Sequence, residues 1–146
     1  MQVARRSSIL LCAALSLPAL AAAQSNRYKE LKRVIDRNTG FAHFTRGVNM
    51  YTLYALRACV TPKDIAVLSE MLTDKDRVTQ MAAADVLVDF GNSGRQAVES
   101  RLSQTKNVSD KLMLRDALDE AAKPSYRSIL DYPLTDEERR RINGCK

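Results

Sequence analysis

The sequence predicts an all-α protein, and three observations carry that expectation. Apolar residues recur at helical spacing through most of the chain, polar turns divide them into short segments, and one helix-pair pattern returns about 30 residues later.

The first 23 of the 146 residues read as a cleavable signal peptide. Arg5 and Arg6 are basic, Ile9 to Leu17 are largely apolar, Pro18 is expected to break the stretch, and Ala21-Ala22-Ala23 offers small residues for cleavage. The apolar run falls short of the roughly 20 residues that span a bilayer, so no stable membrane insertion is expected. Leu11 is too bulky for the position before a lipidated Cys12. An exported, periplasmic chain of residues 24–146 follows, short enough for one domain. The whole chain carries 23 basic and 17 acidic residues, and two of the basic ones belong to the leader. This modest excess is dispersed except at Arg139-Arg140-Arg141, which argues against nucleic acid as a partner.

The elements follow in order. Tyr28 to Asn38 forms a leading helix, followed by a loop around Gly40. From Gly47 to Val60 the chain is apolar nearly all round, as in a helix buried between neighbours, and Tyr51 and Tyr54 are read as core. Thr61-Pro62-Lys63-Asp64 opens the next helix, because Thr61 can cap, Pro62 suits the first position and Asp64 favours the positive end of the dipole. Its stripe is Ile65, Leu68, Met71 and Leu72. After the turn Thr73 to Asp76, a second helix places Val78, Ala82, Ala83, Val86, Leu87 and Phe90 on one face and ends at Gly91.

Thirty residues on, Ala97, Val98 and Leu102 stand where Val67, Leu68 and Leu72 stood, and Val108 follows Val78. Asn107 can cap a helix with Leu112, Leu114, Ala117, Leu118 and Ala121 inward, stopped by Lys123-Pro124. Thirty residues back, Val48, Thr52 and Leu56 fall over Val78, Ala82 and Val86. The pattern from Leu72 and Asp74 through Val78, Ala82, Ala83 and Leu87 to Gly91 resembles the HEAT-repeat family in its short bacterial form. That resemblance implies a small HEAT-like stack of antiparallel helix pairs, each covering its neighbour. Ala82, Ala83 and Ala84 would let helices approach closely. An irregular helical bundle is the competing architecture.

Cys12 leaves with the leader, and the remaining pair, Cys59 and Cys145, fits a disulfide in an oxidising compartment. Closing that loop would stabilise the fold by about 4 to 5 kcal/mol in the chain-entropy account. The tail would then cap the stack. Within it, Tyr126, Ile129, Leu130 and Tyr132 precede Pro133, and Thr135 with Glu138 has capping-box spacing. Asp136 with Arg140 and Glu137 with Arg141 make favourable pairs.

Catalytic signals are sparse. His43 is the sole histidine, and no paired cysteine motif, glycine-flanked serine or glycine-rich phosphate loop accompanies it. No catalytic residue, metal or cofactor is expected. The pairs Asp74 with Asp76 and Asp85 with Asp89 suit turns and solvated faces, and carboxylate-based hydrolysis is only a third reading. Asn107-Val108-Ser109 matches a glycosylation sequon, but Asn107 serves equally as a helix cap.

Binding is therefore the leading expectation. A second stripe on the Asp76 to Phe90 helix runs through Met81, Ala84 and Val88, flanked by Arg77, Asp85 and Asp89, with Arg115 and Asp119 extending the rim. It either packs on the next repeat or forms a binding patch. In size, leader and cysteine count the chain resembles helical periplasmic immunity proteins that neutralise cell-wall amidases delivered by type VI secretion. The resemblance implies occlusion of a secreted enzyme's cleft. An envelope adaptor or assembly factor is the alternative, and a homodimer is left open.

Overall fold

The computed structural model describes residues 10–39 and 48–145, with side chains from residue 18 onward. Among these residues the protein is all-α. Its helices are α1 (Leu10–Asn38), α2 (Met50–Cys59), α3 (Ile65–Met71), α4 (Arg77–Val88), α5 (Asn92–Gln104), α6 (Val108–Ala122) and α7 (Asp136–Arg141). A 3-10 turn, Pro62–Asp64, leads into α3, and another, Ile129–Asp131, lies in the tail. Pro18 does not break the chain as expected: α1 runs through it. A proline removes one backbone bond, and helical residues on both sides carry the helix past it.

Consecutive helices pair, α1 with α2, α3 with α4 and α5 with α6. Across pairs, α1, α3 and α5 meet in one layer, while α2, α4 and α6 meet in the other. Helices packed in two layers thus organise the core, and α4 packs on α5 as well as on α3. Leu31, Ile35, Leu56, Leu68, Met71, Leu87 and Leu114 are wholly buried there.

The second-layer helices open on one device. Asn49, Asp76 and Asn107 cap α2, α4 and α6, each accepting main-chain N–H bonds from the first turn. In α2 and α4 a buried threonine adds its hydroxyl, Thr52 to Asn49 at 3.1 Å and Thr79 to Asp76 at 2.7 Å. These caps stand 27 and then 31 positions apart, so the strict period of 30 is corrected. Val48 precedes the cap of α2, whereas Val78 lies inside α4, and Val108 at the start of α6 is 71% exposed. Caps and packing set helix register, and connecting turns of unequal length absorb the difference.

Ala82, Ala83 and Ala84 are wholly buried, which explains why α4 is slender. Helix α4 also approaches α5 closely. A Cβ on Gly94 would fall 1.7 Å from the Leu87 carbonyl oxygen, so this contact is backbone against backbone. Gly91, between the two helices, has φ 69° and ψ −142°, which side-chain-bearing residues avoid.

Two arginines tie helix ends within a pair. Arg27 of α1 donates to the Cys59 carbonyl at 2.7 Å, and Arg95 of α5 donates to the Ala121 carbonyl at 2.8 Å. Each satisfies a carbonyl that the end of a helix leaves open. Arg27 also pairs with Asp64 at 2.8 Å, while Asp64 accepts the Thr61 N–H at 2.8 Å. Burial alone would raise the Asp64 pKa, but Arg27 and the Thr61 N–H together hold it below the usual value. Beside Arg27 on α1, Tyr28 donates to Asp74, and one turn on Lys32 donates to Asp76, fixing the α3–α4 turn.

The tail returns over the second layer as a cap. Its 3-10 turn packs on α2, and Thr135 and Glu138 complete the expected capping box of α7. Tyr51 donates to Glu138 at 2.6 Å and Arg139 donates to the Tyr54 hydroxyl at 2.9 Å, so both tyrosines are half-buried under the tail rather than in the core. The Cys59 and Cys145 sulfurs are at bonding distance, with Cα atoms 5.5 Å apart, as a disulfide requires. Glu137 pairs with Arg141; the pair expected between Asp136 and Arg140 does not form among the described residues.

Candidate functional site: the α4–α6 groove

Helix α4 turns Arg77, Met81 and Asp85 toward α6, one residue per turn, because positions four apart share a face. Helix α6 answers with Leu112, Met113, Asp116, Ala117 and Glu120. Between them runs an open groove of about 370 Å³. Beyond Asp85 it continues into a pocket of about 120 Å³ walled by Val88, Tyr126 and Ile129. Past Glu120 a further hollow of about 400 Å³ follows the tail from Ser125 to Pro133.

Two carboxylates on α4, one turn apart, have opposite fates. The Asp89 side chain is 1% exposed and its oxygens are fully engaged. They accept from Arg57 at 2.5 Å, the Ser128 hydroxyl at 3.0 Å, and the Tyr126 hydroxyl and Ile129 N–H at 3.1 Å each. The Arg57 guanidinium also lies 4.2 Å from the centre of the Phe90 ring. Burial, then the charge of Asp89, pushes the Tyr126 hydroxyl above its ordinary range, so it stays a donor. This hub joins α2, α4 and the tail.

Asp85 has no hydrogen-bond or salt-bridge partner among the described residues. It is half-buried on the groove floor, hemmed in by protein yet reached by solvent. That burial, then the charge of Glu120, pushes its carboxyl up to about 7. Arg77 is the nearest candidate partner along α4, but it is committed to Asp110 and Gln80, each at 3.0 Å, and to the Ser109 carbonyl at 2.8 Å. Glu120 is paired with Lys123 on the rim.

Several expected surface positions are corrected. Arg77, Met81 and Asp85 do line the groove. Ala84 is wholly buried and Val88 is 3% exposed, because the second stripe of α4 packs between the flanking pairs and only an edge of Val88 meets the inner pocket. Asp89 lies under the tail and holds the fold together. Arg115 and Asp119 are exposed but stand outside the groove wall. Leu112 was expected inward and is 56% exposed, with Asp116 and Glu120 on its face. The spacing of 112, 116 and 120 was the signal for this wall, outweighed by the neighbouring Leu114, Ala117, Leu118 and Ala121 stripe.

His43 lies outside the described residues. Asp74 and Asp76 serve the α3–α4 turn and the cap of α4. Among the described residues no group of three or more His, Cys, Asp and Glu side chains is placed to hold a metal ion, and no helix is long and apolar enough to cross a membrane. The groove offers apolar contact beside a carboxylate, chemistry suited to a group that joins an apolar surface to a positive charge. No protein-family model, curated protein or solved structure matches this chain.

Proposed function

We propose that the protein is a noncatalytic protein-binding module whose partner docks at the α4–α6 groove. In its most concrete form it is an exported immunity protein of HEAT-like build that occludes a cell-wall-degrading enzyme, such as an amidase. The observation carrying the binding role is the groove itself. Apolar walls and an unpaired carboxylate sit on a framework tied by the Asp89 hub and the bridged tail, so little is left to order when a partner arrives. The inhibitor form draws on the size, leader and cysteine pair of the chain. Export is consistent with α1, where residues 18–26 are exposed and Leu31 is the first buried residue among those whose side chains are described, so the leader's last residues, 18–23, stand outside the core.

Affinity capture with the oxidised protein tests this reading, using wild type beside Met81→Asp. A stoichiometric wall-degrading enzyme, inhibited on binding and lost with Met81→Asp, is the expected result. Wild-type capture that survives Met81→Asp unchanged overturns the groove as the docking face. An envelope adaptor is the second reading, favoured by Leu130 and Tyr132, which are 39% and 45% exposed on the tail and offer a separate contact surface. It predicts capture of resident envelope proteins with no enzyme inhibited.

A further inference from the structure

Resting on the protein-binding reading, we propose that the partner inserts one basic side chain, arginine or lysine, into the α4–α6 groove. Its charged head meets the Asp85 carboxylate, and its aliphatic stem lies along Met81 and Met113. Three features of the groove select this occupant.

The first is charge. Among the described residues no cation pairs with Asp85, while Asp116 and Glu120 line the groove with it from α6, and Arg77 on the wall is spent on Asp110 and Ser109. An anionic segment would be repelled, whereas a cation completes the site. The second is shape: an open groove of about 370 Å³ has room for a long side chain, and its lining mixes Met81 and Met113 with Asp85, Asp116 and Glu120. Lysine and arginine stems pack on apolar surface while their heads stay polar, so one side chain satisfies both. The third is depth. A pair formed at the hemmed-in position of Asp85 is screened less than one on the open rim, and a guanidinium can meet the carboxylate through two parallel bonds.

The free groove holds its carboxyl near 7, and an incoming cation favours the ionised form. Binding therefore releases a proton when it begins from protonated Asp85, and affinity falls as pH drops below about 7. Asp116 and Glu120 from α6, Arg77 from α4 and Tyr126 from the tail are the other titratable groups around it.

The test uses two capped pentapeptides, Ala-Leu-Arg-Leu-Ala and the same sequence with citrulline, which keeps arginine's shape without its charge. Methyl NMR of the oxidised protein follows Met81 and Met113. The arginine peptide is expected to shift both methyls saturably and to bind at least tenfold more tightly than the citrulline peptide. Asp85→Asn should remove that difference and the pH dependence, and Asp119→Asn, outside the groove, should leave both. Equal binding of the two peptides, or shifts confined to other methyls, overturns the proposal. Loss of the captured partner with Met81→Asp, together with no preference for arginine, would sink the basic side chain while leaving the binding module standing. Capture indifferent to Met81→Asp would remove both.

Discussion

The side-chain amide of Asn38 pairs with both main-chain groups of Asn143. Its Nδ2 donates to the Asn143 carbonyl at 2.8 Å, and the Asn143 N–H donates to its Oδ1 at 3.1 Å. Asn38 is wholly buried, so this pairing fastens the tail to the first helix where little water competes. Asn38→Ala should lower stability by about 2 to 3 kcal/mol, because two main-chain groups and the Val34 contact lose their partner. Urea unfolding measures it, and a loss below about 0.5 kcal/mol would mean that water replaces the amide.

Asp89→Ala should be more damaging. It leaves Arg57, 18% exposed, beside an empty site and frees Tyr126, Ser128 and Ile129 together. Removing one partner of a buried ion pair costs about 3 to 5 kcal/mol. Tyr126→Phe deletes one bond and should cost about 1 kcal/mol. Thermal and urea unfolding of the two variants gives the ranking, and equal losses would refute the hub.

Asp85→Asn should stabilise the free protein at pH 8, by about 1 to 2 kcal/mol after allowing for solvent contact. The sign follows from linkage. The folded carboxyl, at about 7, binds its proton more tightly than the unfolded one at 3.8, so wild-type stability falls as pH rises between those values. The advantage of the asparagine variant is therefore full above pH 7 and shrinks steadily toward pH 4. A difference independent of pH would contradict an ionised Asp85 as its cause.

Gly94→Ala should destabilise by about 3 kcal/mol, since the added methyl meets the Leu87 carbonyl and only separation of α4 from α5 relieves it. In an exposed helix the same change is favourable by roughly 1 kcal/mol. A stabilised variant would mean that the two helices are not in backbone contact.

The helices were legible because their signals are local. Asp76, Asn107, Thr135 and Gly91 mark boundaries through bonds and dihedrals involving only near neighbours. The cysteine pair was legible by count and compartment. Positions along the second stripe of α4 were not: Met81 and Val88 read alike in sequence, yet Val88 lies beneath Tyr126 and Ile129, while Met81 faces the groove. Asp85 and Asp89 were likewise alike, and distant partners separate them: Arg57 of α2 and the returning tail, the latter 37 to 40 positions away, donate to Asp89. Periodicity reports a face. It does not report which part of that face a distant segment will cover.

The return of the tail also sets an order of assembly. Helices α3 to α6 meet sequence neighbours, whereas the tail closes links spanning 86 residues at Cys59–Cys145 and 105 at Asn38–Asn143. Closing long loops costs entropy that only later contacts repay, so the local pairs condense first and the seam joins last. Tyr126 and Ile129, which wall the inner end of the groove, belong to that late-docking segment. The inner end of the groove is therefore complete only once the tail has docked.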